Sequence, residues 1–433
     1  MDATSVVSVE ECKTIVKKHL QSENFAVLNI NVISFGDILS GFMSDHLKII
    51  VLVQHFNGLV EELTFFVKTI PRNVPIHARY VLATGFHRKE AVFYSNIIND
   101  LRKYQLEDKD RTLQHVYKWT PECYLAREDV IVLEDLSVSG FKIPNVRDVM
   151  SLKQCSLVLS NIARFNAATI IFEEKETRRL GKQCRMSEIY AEALAEKSGS
   201  TLVEDNSKGW FQAGIRSLKP LIFLLPKYKN NPEKCKVIVE KYSDACYKLN
   251  DLILPSKSHR NVVCHGDLWS SNILLRYDKD GEPAEVRFVD FQIIRYTPPV
   301  HDVIFFLHMS TSKAFRDQYM ETLLDVYYNA FAAEIQDNSL DPEYLLPLTE
   351  LQESFKDLRD IGRISAVLSL PITLLKTEIT TPIFSSPDRF EKFMLLDRSD
   401  EMCENFLTDD VYRQRINETM EEFIECCILC HLG

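Results

Sequence analysis

Val262-Val263-Cys264-His265-Gly266-Asp267-Leu268-Trp269-Ser270-Ser271-Asn272 is the stretch that decides the fold, and Phe288-Val289-Asp290-Phe291-Gln292 is its companion. Three apolar residues lead into His265, so a short buried strand delivers Asp267 to a loop. Asn272 follows Asp267 by five positions and opens a second apolar run, Ile273 to Leu275. Tyr277 to Gly281 has the composition of a turn, and Val286 to Val289 returns as a strand that ends on Asp290. Such a hairpin brings Asp267, Asn272 and Asp290 to one edge of a small sheet. Two carboxylates and an amide there form an oxygen-rich site for Mg²⁺, with one carboxylate left to act on a hydroxyl. For His-Gly-Asp to be a chance tripeptide, the Asp–Asn spacing, the hairpin and the terminal Asp would all have to coincide.

The same layout resembles the catalytic half of a kinase. Protein kinases carry His-Arg-Asp-x-x-x-x-Asn and then Asp-Phe-Gly, where the first Asp is the base and the Asn and second Asp hold Mg²⁺. Here Gly266 stands where the Arg would be and Gln292 where the Gly would be. That variant resembles the small-molecule branch, which includes aminoglycoside and choline kinases. The fuller string HGDLWSSNIL…FVDFQIIRYTPPVHDVIFFL resembles more closely the insect ecdysteroid-kinase-like family. The resemblance covers most of the chain and implies a two-lobed α+β kinase-like fold. It also implies ATP and Mg²⁺ as cofactors and an ecdysteroid-like alcohol as acceptor, for hormone inactivation or detoxication.

Composition is consistent with such a protein. The chain has 433 residues, 45% of them hydrophobic, enough for two or three core-bearing units. Its formal net charge is −11, without a block of Lys and Arg dense enough to track a phosphate backbone, so nucleic acid is not the expected partner. The N-terminal segment lacks a basic-then-apolar signal pattern and the apolar runs are short, which predicts no membrane span. Eleven cysteines without a spacing framework suggest reduced thiols and a cytoplasmic setting. Asn417-Glu418-Thr419 fits a glycosylation sequon that carries no meaning without secretion. A monomer is expected.

Taken from the start, residues 9–22 read as an amphipathic helix with Cys12, Ile15, Val16 and Leu20 on one side. Ile33 to Ser44 contains Gly36 and Gly41 ahead of a strand-like run, Leu47 to Val53. A glycine turn there is either a phosphate-covering loop or an ordinary surface turn, because the GxGxxG pattern is absent. The family resemblance places the serine that ends such a loop at Ser44. His55-Phe56-Asn57-Gly58 predicts a hairpin with a type I′ turn. In the returning strand, Leu63 to Ile70, Lys68 shares a face with Phe66 and Ile70.

Lys68 taken alone is a solvated lysine on a strand. The next helix, Gly85 to Gln105, alters that balance. Phe86, Phe93, Ile97, Leu101 and Tyr104 form one apolar stripe, and Glu90 falls inside it. A carboxylate on a buried face requires a partner. Lys68 is the natural one, since a strand Lys paired with a helix Glu positions the ATP phosphates in kinases. Val130 to Leu133 then runs into Glu134-Asp135-Leu136, which resembles the connector between kinase lobes. Glu134 is the connector residue assigned to the nucleotide, although adenine bonds backbone groups there. The boundary separates an N-terminal lobe, 1–135, from a C-terminal lobe, 136–433.

Beyond it the pattern is helical. Cys155, Val158, Leu159, Ile162, Phe165 and Thr169 share a face of a helix that should support the catalytic loop. Related sequences read Ala-Arg-Phe-His-Ala near its end, whereas here Asn166 replaces the His, which leaves open whether the polar contact survives. Residues 172–180 are charged and expected to be solvated. Asp302, before the apolar run Val303 to Leu307, is suited to cap a helix. The resemblance implies that it also braces the catalytic loop. Residues 368–382 border the acceptor pocket in this scheme. Cys427-Ile428-Leu429-Cys430-His431 matches a haem-attachment string, but the surrounding apolar helix favours core packing.

These residues define a reaction. Asp267 would take the proton of the acceptor hydroxyl, with no strong perturbation required. Asn272 and Asp290 would hold Mg²⁺, Lys68 fixed by Glu90 would neutralise phosphate charge, and His265 would scaffold the loop through a backbone hydrogen bond. Two alternatives stand beside it. One is a kinase for choline or a foreign alcohol or glycoside. The other is a catalytically silent steroid- or nucleotide-binding module.

Overall fold

The computed structural model describes residues 6–34, 44–71, 75–106, 118–196 and 206–431. Helix α1 (Val9–Leu20) starts on a capping box in which Ser8 and Glu11 bond each other's backbone. Strands β1 (Phe25–Ser34), β2 (Asp45–His55), β3 (Val60–Thr69), β4 (Cys123–Ala126) and β5 (Val130–Glu134) follow. They form one antiparallel sheet in the order β1-β2-β3-β5-β4. Period-two alternation sends Val51, Val53, Leu63, Phe65 and Val67 to one face, where they bury Cys12, Ile15 and Val16 of α1. The opposite face carries Lys48, Phe66 and Lys68, in the register His46↔Lys68 and Lys48↔Phe66.

The β2–β3 turn differs from the expected type I′. Among its residues only Gly58 has positive φ (83°). Its N–H donates to the His55 carbonyl at 2.9 Å, and the His55 N–H donates to the Leu59 carbonyl at 2.8 Å. This is a type I turn closed by a left-handed glycine bulge. Asn57 Oδ1 accepts the Leu59 N–H at 3.0 Å, an Asx bond that does not require Asn57 itself to be left-handed.

Between β3 and β4 lie α2 (Pro75–Thr84) and α3 (Phe86–Val92), separated by Gly85 at φ 67°. Helix α3 continues through a π turn, Phe93–Ile97, into α4 (Ile98–Leu106). Beyond β5 the chain is mostly helical. Helix α5 (Leu152–Leu180) is followed by the short α6 (Met186–Ile189) and α7 (Ala191–Leu194), then α8 (Asn206–Ile222), α9 (Pro232–Tyr247) and α10 (Leu249–Leu252). Two small ribbons interrupt the helices. Strand β6 (Val262–Cys264) pairs with β9 (Arg295–Thr297), and β7 (Ile273–Tyr277) pairs with β8 (Pro283–Phe288). The remaining described residues are mostly helical, from α11 (Val300–Ser310) and α12 (Lys313–Asp337) to His431. The fold is a two-lobed, kinase-like α+β fold.

Helix α5 alone is long and apolar enough, among the described residues, to cross a membrane by composition. Its most apolar window is 72% buried inside the protein, against α12 and β6, which makes it the core helix of the larger lobe. Its charged end is solvated only in part: Arg178 and Arg179 are exposed, as the sequence suggests, but two of its carboxylates are not. Glu173 is fully buried and accepts from the Met186 N–H (2.9 Å), Tyr296 (2.8 Å) and Arg260 (2.9 Å). Glu176 is buried beside Lys103 and Tyr104 at 2.5 and 2.6 Å. Their partners come from distant parts of the chain, which is why local charge density misleads. Cys427 is buried in the π turn Ile424–Ile428 within the second apolar core, where the core reading of that string placed it.

Candidate active site

Strand β3 and helix α3 converge on one ammonium group. Lys68 Nζ lies 2.6 Å from Glu90 Oε2 and 2.6 Å from Asp290 Oδ1. Lys68 and Glu90 are 4% and 1% exposed, so the pair is out of water and depends on its partners. Burial opposes the charge on Lys68, but Asp290 and Glu90 outweigh it and raise the lysine pKa. Burial pushes Glu90 up against the pull of Lys68. Two neighbouring histidines, His46 and His87, are driven down to about 4 by burial and by the Lys68 charge, so both are neutral at physiological pH.

The helix bearing Glu90 is held from both sides. Towards the larger lobe, Arg88 pairs with Glu192 at 2.7 Å, Lys89 donates to the Ala195 carbonyl at 3.1 Å, and Tyr190 donates to Asp100 at 2.7 Å. Inside, the Phe93 ring stacks on Phe291 with centroids 3.8 Å apart, and Phe291 lies 4.4 Å from the His265 ring. A π turn starts at Phe93, which helical spacing already places on the buried face; the partner Phe291 lies on a different element.

The catalytic loop is suspended from buried acceptors and donors. Asp302, in the first turn of α11 and fully buried, accepts the His265 N–H at 2.8 Å and the Gly266 N–H at 2.9 Å. It does not cap its helix, since Pro299 holds that position without a side-chain bond. Burial works against the Asp302 charge, but His301, His265 and the Gly266 amide hold its carboxyl below the usual range. His265 bonds the Val289 carbonyl through Nε2 at 2.9 Å, while its Nδ1 faces the Asp267 N–H at 3.3 Å. That network assigns the proton to Nε2. With burial lowering its pKa, His265 serves as a neutral scaffold. Asn166 keeps a polar contact to the strand ahead of the loop. Its amide donates to the Val263 carbonyl at 3.1 Å, and its oxygen accepts from Tyr327 at 2.9 Å.

Gly266 sits at φ 81°, and a β-carbon there would meet the Ile293 carbonyl oxygen at 2.1 Å. Gly281, at φ 79°, has open space around the same position. Gly281→Ala should therefore cost about 1 kcal/mol of left-handed strain, whereas Gly266→Ala adds a backbone collision. We expect thermal unfolding to show a drop in Tm several times larger for Gly266→Ala than for Gly281→Ala; equal drops would contradict the collision.

Asn272 donates through Nδ2 to the Asp267 carbonyl at 2.8 Å and to Asp267 Oδ2 at 3.2 Å, which leaves its amide oxygen for another partner. Asp290 occupies the left-handed region (φ 67°, ψ 59°) between β8 and a short 3-10 turn, and Gln292 donates to its second oxygen at 3.3 Å. Burial and the Asp290 charge push Asp267 up to about 7, a larger perturbation than the sequence required. The structure thus brings together Lys68, Glu90, Asp267, Asn272 and Asp290, with His265 and Asp302 behind them.

The remaining assigned residues are less engaged with this cluster. Ser44 is buried, and its Oγ has no hydrogen-bond partner among the described residues. Gly36 and Gly41 of the glycine turn lie outside those residues. Glu134 donates its N–H to the Glu122 carbonyl at 2.8 Å and accepts the Glu122 N–H at 3.3 Å, so both groups face β4. Sequence reasoning missed its neighbour Asp135. That carboxylate pairs with Lys48 at 2.8 Å and accepts from Thr64 at 3.1 Å and from the Ser137 N–H at 3.1 Å, tying the sheet to the lobe connector.

The residues present fit Mg²⁺ with ATP. Among the described residues no three His, Cys, Asp or Glu side chains gather into a metal cage. Mg²⁺ is ordinarily held by one or two protein oxygens together with phosphate oxygens and water, which Asp290 and Asn272 could satisfy. The buried Ser44 hydroxyl and the Lys68 ammonium are donors suited to phosphate. The family model described as the ecdysteroid kinase-like family matches residues 39–339, a span containing every one of these groups. No curated protein matches the chain.

Proposed function

The chain belongs to the ecdysteroid kinase-like family, and from that premise we propose that it phosphorylates a hydroxyl of an ecdysteroid or a similar hydroxylated lipophile. The observation that carries the proposal is the Lys68 ammonium 2.6 Å from both Glu90 and Asp290, beside the Asp267–Asn272 loop. Mg²⁺ and ATP, when bound, would supply the electrophilic phosphorus and screen its oxygens. Asn272 and Asp290 are the residues to hold the metal, and Lys68, with Ser44, is placed to neutralise and bond phosphate oxygens.

Asp267 takes the acceptor proton as the new oxygen–phosphorus bond forms and the bond to the leaving ADP breaks. Its orientation comes from Asn272 and from the His265–Asp302 scaffold. The steroid-like acceptor is supported by family membership; hormone inactivation or detoxication in the cytoplasm by a single-chain enzyme is the role proposed with it.

A base must be ionised to accept a proton, so activity should rise with pH. With Asp267 at about 7 in the free protein, kcat/KM is expected to climb tenfold per unit below that pH and level off above it. Neutralising Asp290 removes one upward push on Asp267, so the limb in kcat should lie lower. The test is Mg²⁺-dependent ATP consumption over ecdysteroids, plant sterol glycosides and choline, followed through pH 5–9. Phosphorylated ecdysteroid with this limb supports the proposal. Turnover on another acceptor alone would discard the hormone reading, and nucleotide binding without transfer would favour a silent binding module.

A further inference from the structure

We propose that the buried Lys48–Asp135 ion pair is a positioning element that holds the lobe connector in the geometry that receives the nucleotide base. The proposal rests on the kinase reading, which puts the base against the backbone after β5 and the phosphates at Lys68. Lys48 of β2 and Thr64 of β3 stand on the sheet face that carries Lys68. Lys48 Nζ lies 2.8 Å from Asp135 Oδ2, and the same oxygen accepts from Thr64 at 3.1 Å. The other oxygen accepts the Ser137 N–H at 3.1 Å and the Ser137 hydroxyl. The Asp135 side chain is 2% exposed, so a single buried carboxylate joins β2, β3 and the connector. Burial works against its charge, but Lys48 leads the contacts that hold the carboxyl below its usual range.

The connector is anchored at its other end to the catalytic hairpin. The Val138 N–H donates to the Asp135 carbonyl at 3.2 Å and the Phe141 N–H to the Leu136 carbonyl at 3.1 Å, which folds residues 135–141 into turns. The Arg287 guanidinium of β8 lies 4.9 Å from the centre of the Phe141 ring. Lys142 then exchanges two backbone bonds of 2.9 Å with Leu275 of β7, the strand that follows Asn272. Residues 135–142 thus form one braced span from the sheet face of Lys68 to the strand behind Asn272, and Asp135 is its brace on the small lobe. Removing Lys48 strands that carboxylate out of water, where an unpaired charge is strongly destabilising. The carboxylate is relieved by turning outward, which breaks its bonds to Thr64 and Ser137 and releases the connector. A nucleotide then binds only the fraction of molecules whose connector keeps the docking geometry.

The experiment measures Mg²⁺-ATP binding by calorimetry, together with kcat and KM for ATP on whichever acceptor the wild type phosphorylates. A connector that holds the docking geometry about a tenth of the time raises Kd and KM for ATP about tenfold. That is the result expected of Lys48→Met, with kcat at saturating ATP falling by much less. The double variant Lys48→Met/Asp135→Asn should recover most of the affinity, because a neutral amide can stay buried on Thr64 and Ser137. A Lys48→Met protein that binds ATP as tightly as the wild type overturns the proposal. So does a double variant as weak as the single one, which would make Lys48 a direct contact of the nucleotide. If Lys48→Met does not fold, Asp135→Ala takes its place, since it frees the connector without stranding a charge: weakened ATP binding supports the proposal and unaltered binding overturns it. A wild-type protein that binds no Mg²⁺-ATP would instead fail the kinase reading, a result distinct from a wild type and variants that bind it equally.

Discussion

Asp267→Asn is expected to reduce phosphoryl transfer by on the order of 10³-fold while leaving Mg²⁺-dependent ATP binding within a few-fold of wild type. An amide has the shape of the carboxylate and can still accept from the Asn272 Nδ2, which lies 3.2 Å from Asp267 Oδ2. What it lacks is the capacity to take a proton. The same change should make the protein more stable. Asp267 is pushed up to about 7 in the folded state by burial and Asp290. A carboxyl raised by folding binds its proton more tightly than in the unfolded chain. Stability therefore falls as pH rises from the unfolded value, near 4, to the folded one, and the ionised form carries a constant penalty above it. Asn removes the penalty. At pH 8 we expect Tm to rise by about 1–4 °C. Calorimetry together with a transfer assay checks both halves, and a variant that loses stability and nucleotide binding together would mark Asp267 as structural.

The residues of this site differed in how far the sequence revealed them. Glu90 was legible because an acid inside an apolar stripe violates the burial pattern, and such a violation demands a partner. The structure supplies Lys68 at 2.6 Å. Asp267, Asn272 and Asp290 were legible from spacing, since short strands and a turn leave few ways to arrange them. Asp302 was only half visible, as capping explained its position equally well until both its oxygens were found on loop amides.

Other features depended on contacts that no local window contains. The Phe93–Phe291 stack joins residues almost 200 positions apart, so the helical stripe shows that Phe93 is buried but not what it meets. Glu173 and Glu176 looked solvated because their compensating partners, among them Arg260, Tyr296 and Lys103, are remote in sequence.

Lys68→Met should produce the second large effect, and its pH dependence separates electrostatics from packing. The ammonium serves two carboxylates at once, each 2.6 Å away. Without it, Glu90 remains buried as an uncompensated charge close to Asp290, a defect that costs about 3–5 kcal/mol when one partner of a buried pair is removed. Glu90, already pushed up by burial, would then lose the pull of Lys68 and sit further above its unfolded value. Its penalty is fully present at high pH and is relieved as pH falls and it takes up a proton. The Tm deficit of Lys68→Met should thus be largest near pH 8 and shrink towards pH 5, whereas a simple packing loss would be insensitive to pH. Glu90→Gln should be milder, because Asp290 still holds the ammonium. Adding Glu90→Gln to Lys68→Met should recover part of the stability, and the double-mutant cycle would show strong coupling. Activity should behave oppositely. A loss of about 10²–10³-fold in kcat/KM from Lys68→Met would persist in the double variant, because restored stability does not replace the cation that phosphate oxygens require. Recovery of transfer along with stability would place Lys68 in the scaffold and remove it from the proposed phosphate site.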